Sequence, residues 1–253
     1  MHIVIAIPAR LESSRLPKKL LMDICGKPMI RRVLDQCAKS SYYDDLFLCT
    51  DDFNLMKSVE SWGYKCLLTK KDCKSGSERI ASVLDKIINK SLLKDTLIVN
   101  VQGDQPFIDP IIIDKIIKFC TKTEIIPEVV TPIYKIKGKD IHDPNLVKTL
   151  VTNDKSIIYF SRSPLPYIRD KSKDSWSLTY DYWGHVGIYC YRGDILKKWN
   201  DLPTSQLEEL ERLEQLRLID AGIKVTSFEV EGDFLSVDTK EQLNLARKIY
   251  NGD

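Results

Sequence analysis

Histidine is scarce, with only His2, His142 and His185 scattered along the 253-residue chain. That scatter shows no histidine-based zinc site. Seven cysteines contain no CxxC pair and are odd in number, which argues against a zinc knuckle or a disulfide framework. Most sit in apolar patterns, where cysteine behaves as a small hydrophobe. The 11 glycines form neither GxGxxG nor GxxxxGK, so a dinucleotide fingerprint and a Walker A loop are both excluded. No apolar run approaches the ~20 residues needed to span a bilayer. The strand-like start at residues 3–7 is too short for a signal h-region and lacks a basic n-region. With 38 basic and 36 acidic residues the net charge is +2, which implies neither nucleic acid nor a membrane surface as partner. The expectation is a cytoplasmic protein.

What is present is ordinary globular composition, 43% hydrophobic and 29% charged. Strands and helices alternate in the first half. Residues 3–7, 46–49, 64–68 and 96–101 read as buried strands. Between them, Met29, Ile30, Val33, Leu34 and Cys37 recur at helical spacing. Asp51 or Asp52 can cap a helix carrying Phe53, Met56 and Val59, and Ser75 opens another with Ile80, Val83, Leu84, Ile87 and Ile88 on one face. Asp109-Pro110 is a cap followed by proline at the first helical position. This βαβ alternation predicts an α/β fold with a mostly parallel central sheet and right-handed crossovers. Residues 129–136, 147–151, 157–161 and 185–191 are strand candidates with little helix between them, which predicts an antiparallel or mixed extension. A long helix is expected over 206–221, ended by Gly222, then a strand over 223–230 and a last helix over 239–250. No repeat, linker or domain boundary is visible, so 1–253 reads as one unit.

Four groups could carry chemistry. In Asn100-Val101-Gln102-Gly103-Asp104 an apolar strand delivers a carboxylate to a sheet edge, where open α/β sheets bind ligands. Gly103 would let a ligand approach the backbone, and Asp104 could hold a hard cation; the same residues also make an ordinary turn. The loop after the first strand carries Arg10, Arg15, Lys18, Lys19 and one acid, Glu12, a set that suits a polyphosphate as well as it suits a solvated surface. Ser75 and Glu78 have capping-box spacing, and a capped helix start also offers free N–H groups to a base or an anion. Asp238 follows a second strand and is by default the N-cap of the last helix; beside Asp104 it would complete a Mg²⁺ site with a polyphosphate. Arg162, His185, Tyr189, Glu214 and Gln215 form the fourth group: Arg162 could clamp a carboxylate and His185 could bond a sugar hydroxyl, although each also fits a structural or solvated position.

Taken in order, these segments resemble the 3-deoxy-manno-octulosonate cytidylyltransferases, also called CMP-Kdo synthetases. The likeness runs through Ile7-Pro8-Ala9-Arg10, Ser14-Arg15-Leu16-Pro17, Gly26-Lys27-Pro28, Ser75-Gly76-Ser77-Glu78-Arg79, Asn100-Val101-Gln102-Gly103-Asp104, Tyr159-Phe160-Ser161-Arg162, His185-Val186-Gly187-Ile188-Tyr189, Leu213-Glu214-Gln215-Leu216-Arg217 and Val237-Asp238-Thr239. The resemblance implies a Rossmann-like, GT-A-like nucleotidyltransferase fold, usually a homodimer, with a sugar-binding and dimerising extension around 128–205. It implies that Pro8, Ala9, Arg10, Arg15, Lys19, Ser75, Gly76, Arg79, Gln102 and Asp104 serve CTP. Gln102, Arg162, His185, Tyr189, Glu214 and Gln215 would surround the sugar acid, and Asp104 and Asp238 would hold Mg²⁺. Arg10, Lys19 and the two aspartates would be the catalytic groups, and the product CMP-Kdo would enter lipopolysaccharide biosynthesis. An 8-amino analogue, another sugar acid or a different nucleotide stays open, as does a non-catalytic nucleotide sensor. This chain departs from the family's Leu-Pro-Gly-Lys-Pro, reading Leu16-Pro17-Lys18-Lys19-Leu20. A residue with a Cβ must then adopt a glycine turn at Lys18, and either lysine could face the phosphates. Lys240 likewise stands where the family commonly has proline, which loosens the first helical turn.

Overall fold

A computed structural model describes residues 1–12, 16–88, 90–232 and 234–252. Among the described residues twelve strands form: β1 (His2–Ala9), β2 (Asp23–Ile24), β3 (Lys27–Pro28), β4 (Asp45–Thr50), β5 (Lys65–Leu68), β6 (Thr96–Asn100), β7 (Val129–Lys135), β8 (Lys148–Val151), β9 (Ile157–Ser161), β10 (Trp183–His185), β11 (Tyr189–Arg192) and β12 (Val225–Glu229). β2 and β3 make a small hairpin, and the other ten form one sheet in the order β5-β4-β1-β6-β11-β7-β10-β8-β9, with β12 beside β7. The first four are parallel. From β11 onward the pairings along that path are antiparallel, and β12 runs parallel to β7.

Both faces of this sheet are covered. Along β1, Ile5, Ile7 and Ala9 enter one core with Met29, Ile30, Val33 and with Ile112, Ile113, Ile116 and Ile117 of the Pro110–Thr121 helix. Val4 and Ala6 enter the opposite core with Ile80, Leu84, Leu216 and Trp199. Alternate residues therefore serve different layers, which explains why β1 and β6 read as continuous apolar runs. Each fully buried aliphatic side chain contributes about 1.5–3 kcal/mol of burial free energy.

Several helix signals act as expected. Asp52 accepts from Leu55 N at 2.7 Å, and Asp109 accepts from Ile111 N at 2.9 Å, each capping its helix. Three expectations are corrected. The helix expected over 206–221 is two, Gln206–Glu211 and Leu216–Asp220, because Arg212 turns left-handed at φ 55°. Gly222, at φ +69°, follows the second. The helix opened by Ser75 likewise breaks into Gly76–Ala81 and Leu84–Ile87. The strand expected over 185–191 is interrupted: His185 faces Ile133 and Cys190 faces Val130, so four residues of one strand span two of the other. The carbonyls freed by this bulge are taken by side chains, Val186 O by Gln105 Nε2 and Ile188 O by Thr131 Oγ1, both at 2.7 Å. At the bulge the sheet changes partners: β10 lies between β7 and β8, whereas β11 lies between β6 and β7. His185 and Tyr189 sit on either side of that change.

Candidate active site

The parallel strands end on one edge, and their following loops build a cleft of about 400 Å³. β1 supplies Pro8 and is followed by Arg10, the loop after β6 supplies Gln102 and Asp104, and the segment after β5 supplies Lys74, Ser75 and Gly76. This is the strand-end crevice where α/β folds bind ligands. A second cleft of about 560 Å³ adjoins it, lined by His185, Tyr189, Glu214 and Gln215. Both are lined by Arg10, Lys74, Ser75, Gln102 and Arg212, so the two open on one another.

At the floor of the first cleft, Lys19 Nζ lies 2.6 Å from Asp104 Oδ2 and 2.8 Å from Asp238 Oδ1. Burial pulls the Lys19 pKa down, but the two carboxylates push it up further, and it ends above the usual lysine value. A main-chain bond from Val237 N to Asp104 O, 2.9 Å, ties the two acidic segments together. Asp238 is not the cap expected of it. Thr239 caps the last helix in a reciprocal capping box with Gln242, which leaves the Asp238 carboxylate to face Lys19. Lys18 takes the left-handed turn (φ 54°) and is exposed, while the next residue, Lys19, enters the cleft. Among the described residues no cluster of three or more His, Cys, Asp or Glu could hold a metal by itself. Two carboxylates that share one cation do fit a hard divalent ion that completes its shell with phosphates and water.

The nucleotide-side residues have distinct settings. Ser75 caps its helix by accepting from Glu78 N at 3.1 Å, but Glu78 reaches Lys74 N at 3.0 Å, so the expected capping box is only half formed. A Cβ on Gly76 would meet Pro8 Cγ at 3.0 Å, so that residue is small to fit its neighbours. Gly103 lines the cleft, and a Cβ there would meet Ile30 Cδ1 at 3.0 Å and Pro8 O at 3.3 Å, a packing demand beside the expected ligand approach. Arg79 is buried, donating to Thr69 Oγ1 at 2.5 Å, and also lines the cleft. Ala9 is buried in the core below. Arg15 lies outside the described residues.

A buried polar chain joins the clefts. Glu214 accepts from Ser77 Oγ at 2.9 Å, Asn100 Nδ2 donates to the same hydroxyl at 3.2 Å, and Gln102 Nε2 donates to Asn100 Oδ1 at 3.3 Å. Tyr191 OH also meets Ser77 Oγ, at 3.0 Å. Across the second cleft Tyr189 and His185 share a hydrogen bond through Nε2, with the ring of Phe160 edge-on to the imidazole. Burial pushes the His185 pKa down to about 3 and the Tyr189 pKa well above its usual value, so both are neutral near pH 7. Gln215 Nε2 is buried without a hydrogen-bond partner among the described residues. Arg162 is the exception among the expected residues. It lines neither cleft; its Nε donates to Glu211 O and its Nη1 to Pro144 O, each at 2.8 Å.

Sequence reasoning did not assign roles to Ser77, Asn100, Tyr191, Arg212 or the Glu208–Arg217 pair. One signal was available: Ser77 shares a helix face with Ile80 and Ala81, and Asn100 ends an apolar strand, so each is a polar residue at a core position.

A cation-rich cleft with paired carboxylates that opens on a second cleft, at the edge of a parallel sheet, is the arrangement of a nucleotidyltransferase. Residues 3–225 match the family model described as cytidylyltransferase, and the chain belongs to the cytidylyltransferase family. It is 37% identical to the 3-deoxy-manno-octulosonate cytidylyltransferase of Escherichia coli, over 97% of this chain and 95% of that one. It is also 37% identical to the 8-amino-3,8-dideoxy-manno-octulosonate cytidylyltransferase of Shewanella pealeana, over 97% of both. A solved CMP:2-keto-3-deoxy-manno-octonic acid synthetase complexed with CTP superposes with a TM-score of 0.90 at 35% identity, covering 100% of this chain and 99% of that one.

Proposed function

We propose that this enzyme transfers CMP from CTP to the C2 hydroxyl of 3-deoxy-manno-octulosonate, releasing pyrophosphate. The C2 oxygen bonds to the α-phosphorus as the α–β bridging P–O bond breaks, and the hydroxyl proton departs. The observation that carries the reading is the convergence of Asp104 and Asp238, from two distant segments, on one cation in the cleft. Mg²⁺ held by these carboxylates would supply Lewis acidity that lowers the pKa of the attacking hydroxyl and draws charge from the phosphates.

The chain's own residues do the rest. Arg10 and Lys19 offset the negative charge of the triphosphate, which otherwise repels an incoming oxygen. Ser75 and Gly76, at the capped start of the Gly76–Ala81 helix, line the cleft on the nucleoside side, while the Ser77 and Glu78 amides are taken by Glu214 and Ser75. Gln102 reaches both clefts and lies between donor and acceptor. His185 and Tyr189, both neutral, offer hydrogen bonds to sugar hydroxyls and need not exchange protons with the substrate.

The relatives include enzymes named for both the sugar acid and its 8-amino analogue, which keeps the analogue as the second acceptor to test. The proposal extends to a homodimer formed through part of the 128–205 region, a cytoplasmic location and a product used in lipopolysaccharide assembly. Among the described residues no helix is long and apolar enough to cross a membrane. Pyrophosphate release with CTP, Mg²⁺ and 3-deoxy-manno-octulosonate is the direct test, run beside the 8-amino analogue and an EDTA control. Metal-dependent release with one acceptor supports the reading; no release with either acceptor, despite CTP binding, overturns it. A monomer by light scattering at micromolar concentration would count against the dimer.

A further inference from the structure

We propose that Arg212 is a specificity residue whose guanidinium takes the carboxylate of the acceptor where the two clefts meet. The inference rests on the sugar-acid reading above. In such an acceptor the carboxylate is attached to the carbon that bears the attacking hydroxyl. When that oxygen faces the α-phosphorus, the carboxylate must lie at the mouth between donor and acceptor clefts. Glu208, Glu209 and Glu214 all line the acceptor side, so an anion there needs a cation beside it.

Few cations can serve. Arg217 lines the acceptor cleft, but its fork is closed on Glu208 with bonds of 2.8 and 2.9 Å. Arg162 is held by the carbonyls of Glu211 and Pro144. Arg10 and Lys74 reach the junction from the nucleotide-side loops, where the triphosphate makes its own demand. Arg212 comes from the acceptor side, lines both clefts, and its side chain has no hydrogen bond or ion pair among the described residues.

Its backbone is built to present it. Arg212 caps the Gln206–Glu211 helix at φ 55°, ψ 46°, a left-handed conformation normally left to glycine or asparagine. The turn is locked on both sides. Glu211 O accepts from Arg162 Nε, and the Glu211 carboxylate accepts from Ser161 Oγ at 2.7 Å and Arg162 N at 3.0 Å. Leu213 is buried and Leu213 N donates to Glu208 O at 3.3 Å. Arg162 thus positions the turn, and Arg212 provides the forked donor that matches a carboxylate.

The test uses Arg212→Gly and Arg212→Lys in the full chain. Glycine adopts the left-handed turn without penalty, so Arg212→Gly removes the side chain while keeping the turn, and its melting temperature should not fall. The expected result is a roughly 10- to 100-fold rise in KM for the sugar acid, the loss of a charge-assisted pair, with kcat and the KM for CTP within about twofold. Arg212→Lys should recover only part of the loss, because a point charge does not replace the fork. An active wild type with an unchanged sugar-acid KM in Arg212→Gly overturns the assignment, as does an equal rise in both KM values, which would place Arg212 on the triphosphate. A wild type inactive with every sugar acid overturns the functional reading and this inference with it.

Discussion

Asp104 and Asp238 are like charges held side by side, and Lys19 is what reconciles them in the structure. Replacing Asp104 with Ala removes a carboxylate but not the main-chain bond to Val237, which is made by the Asp104 carbonyl. The fold should therefore survive while the cation site is halved. We expect near-wild-type circular dichroism and turnover lower by on the order of 10²- to 10³-fold, the scale of losing one preorganised electrostatic group. Full activity in the variant would remove Asp104 from the chemistry. His185 gives a pH-dependent counterpart. Its folded pKa is near 3 because of burial, below the unfolded value near 6.5. Between those values the unfolded chain binds a proton that the folded chain refuses, so stability is full above pH 6.5 and is lost as pH falls toward 3. Urea midpoints measured from pH 7 to pH 4.5 should fall less steeply in His185→Gln than in the wild type; parallel slopes would assign the loss to other groups.

Elements in this protein are announced by local chemistry and interrupted by distant chemistry. The caps at Asp52 and Asp109 and the glycine at 222 were legible because each needs only residues within a few positions. The break at Arg212 was not, since the bonds of Ser161 and Arg162 to Glu211 join segments that are separate in sequence. The bulge between β10 and β11 was hidden for the same reason: its carbonyls are satisfied by Gln105 and Thr131, and alternation within the strand carries no sign of either. Lys148 is the clearest case. It reads as an ordinary strand residue, yet it is fully buried with Nζ donating to Asp143 O at 2.8 Å, Leu146 O at 2.7 Å and Arg162 O. Lys148→Met would leave those carbonyls without their donor, a loss on the order of 3 kcal/mol, or roughly 6–12 °C in melting temperature for a chain of this size. Because Arg162 supports the turn at 212, the KM for the sugar acid should rise as well. A variant that melts with the wild type would show that water replaces the ammonium.

On the scale of the molecule, one sheet carries two adjoining clefts because its pairing changes sense midway. The parallel half was readable from βαβ alternation, and the antiparallel half from strands without helices between them. Their junction required pairing information that no single segment holds: β11, late in the chain, inserts beside β6 and brings Tyr189 opposite Asn100. The second cleft is consequently assembled against the first, and CTP binding should stabilise the whole sheet. At a CTP concentration about 100 times its dissociation constant, in the presence of Mg²⁺, the expected stabilisation is about 2.7 kcal/mol, or roughly 5–11 °C in melting temperature. With EDTA the shift should shrink sharply, because the triphosphate would then face Asp104 and Asp238 with only Lys19 between them. Asp104→Ala should lose most of the metal-dependent part and keep the part due to Arg10 and the capped helix. Equal shifts with and without the divalent ion would mean that the carboxylate pair does not bind metal with the nucleotide, and the mechanism would have to rest on the cations of the chain alone.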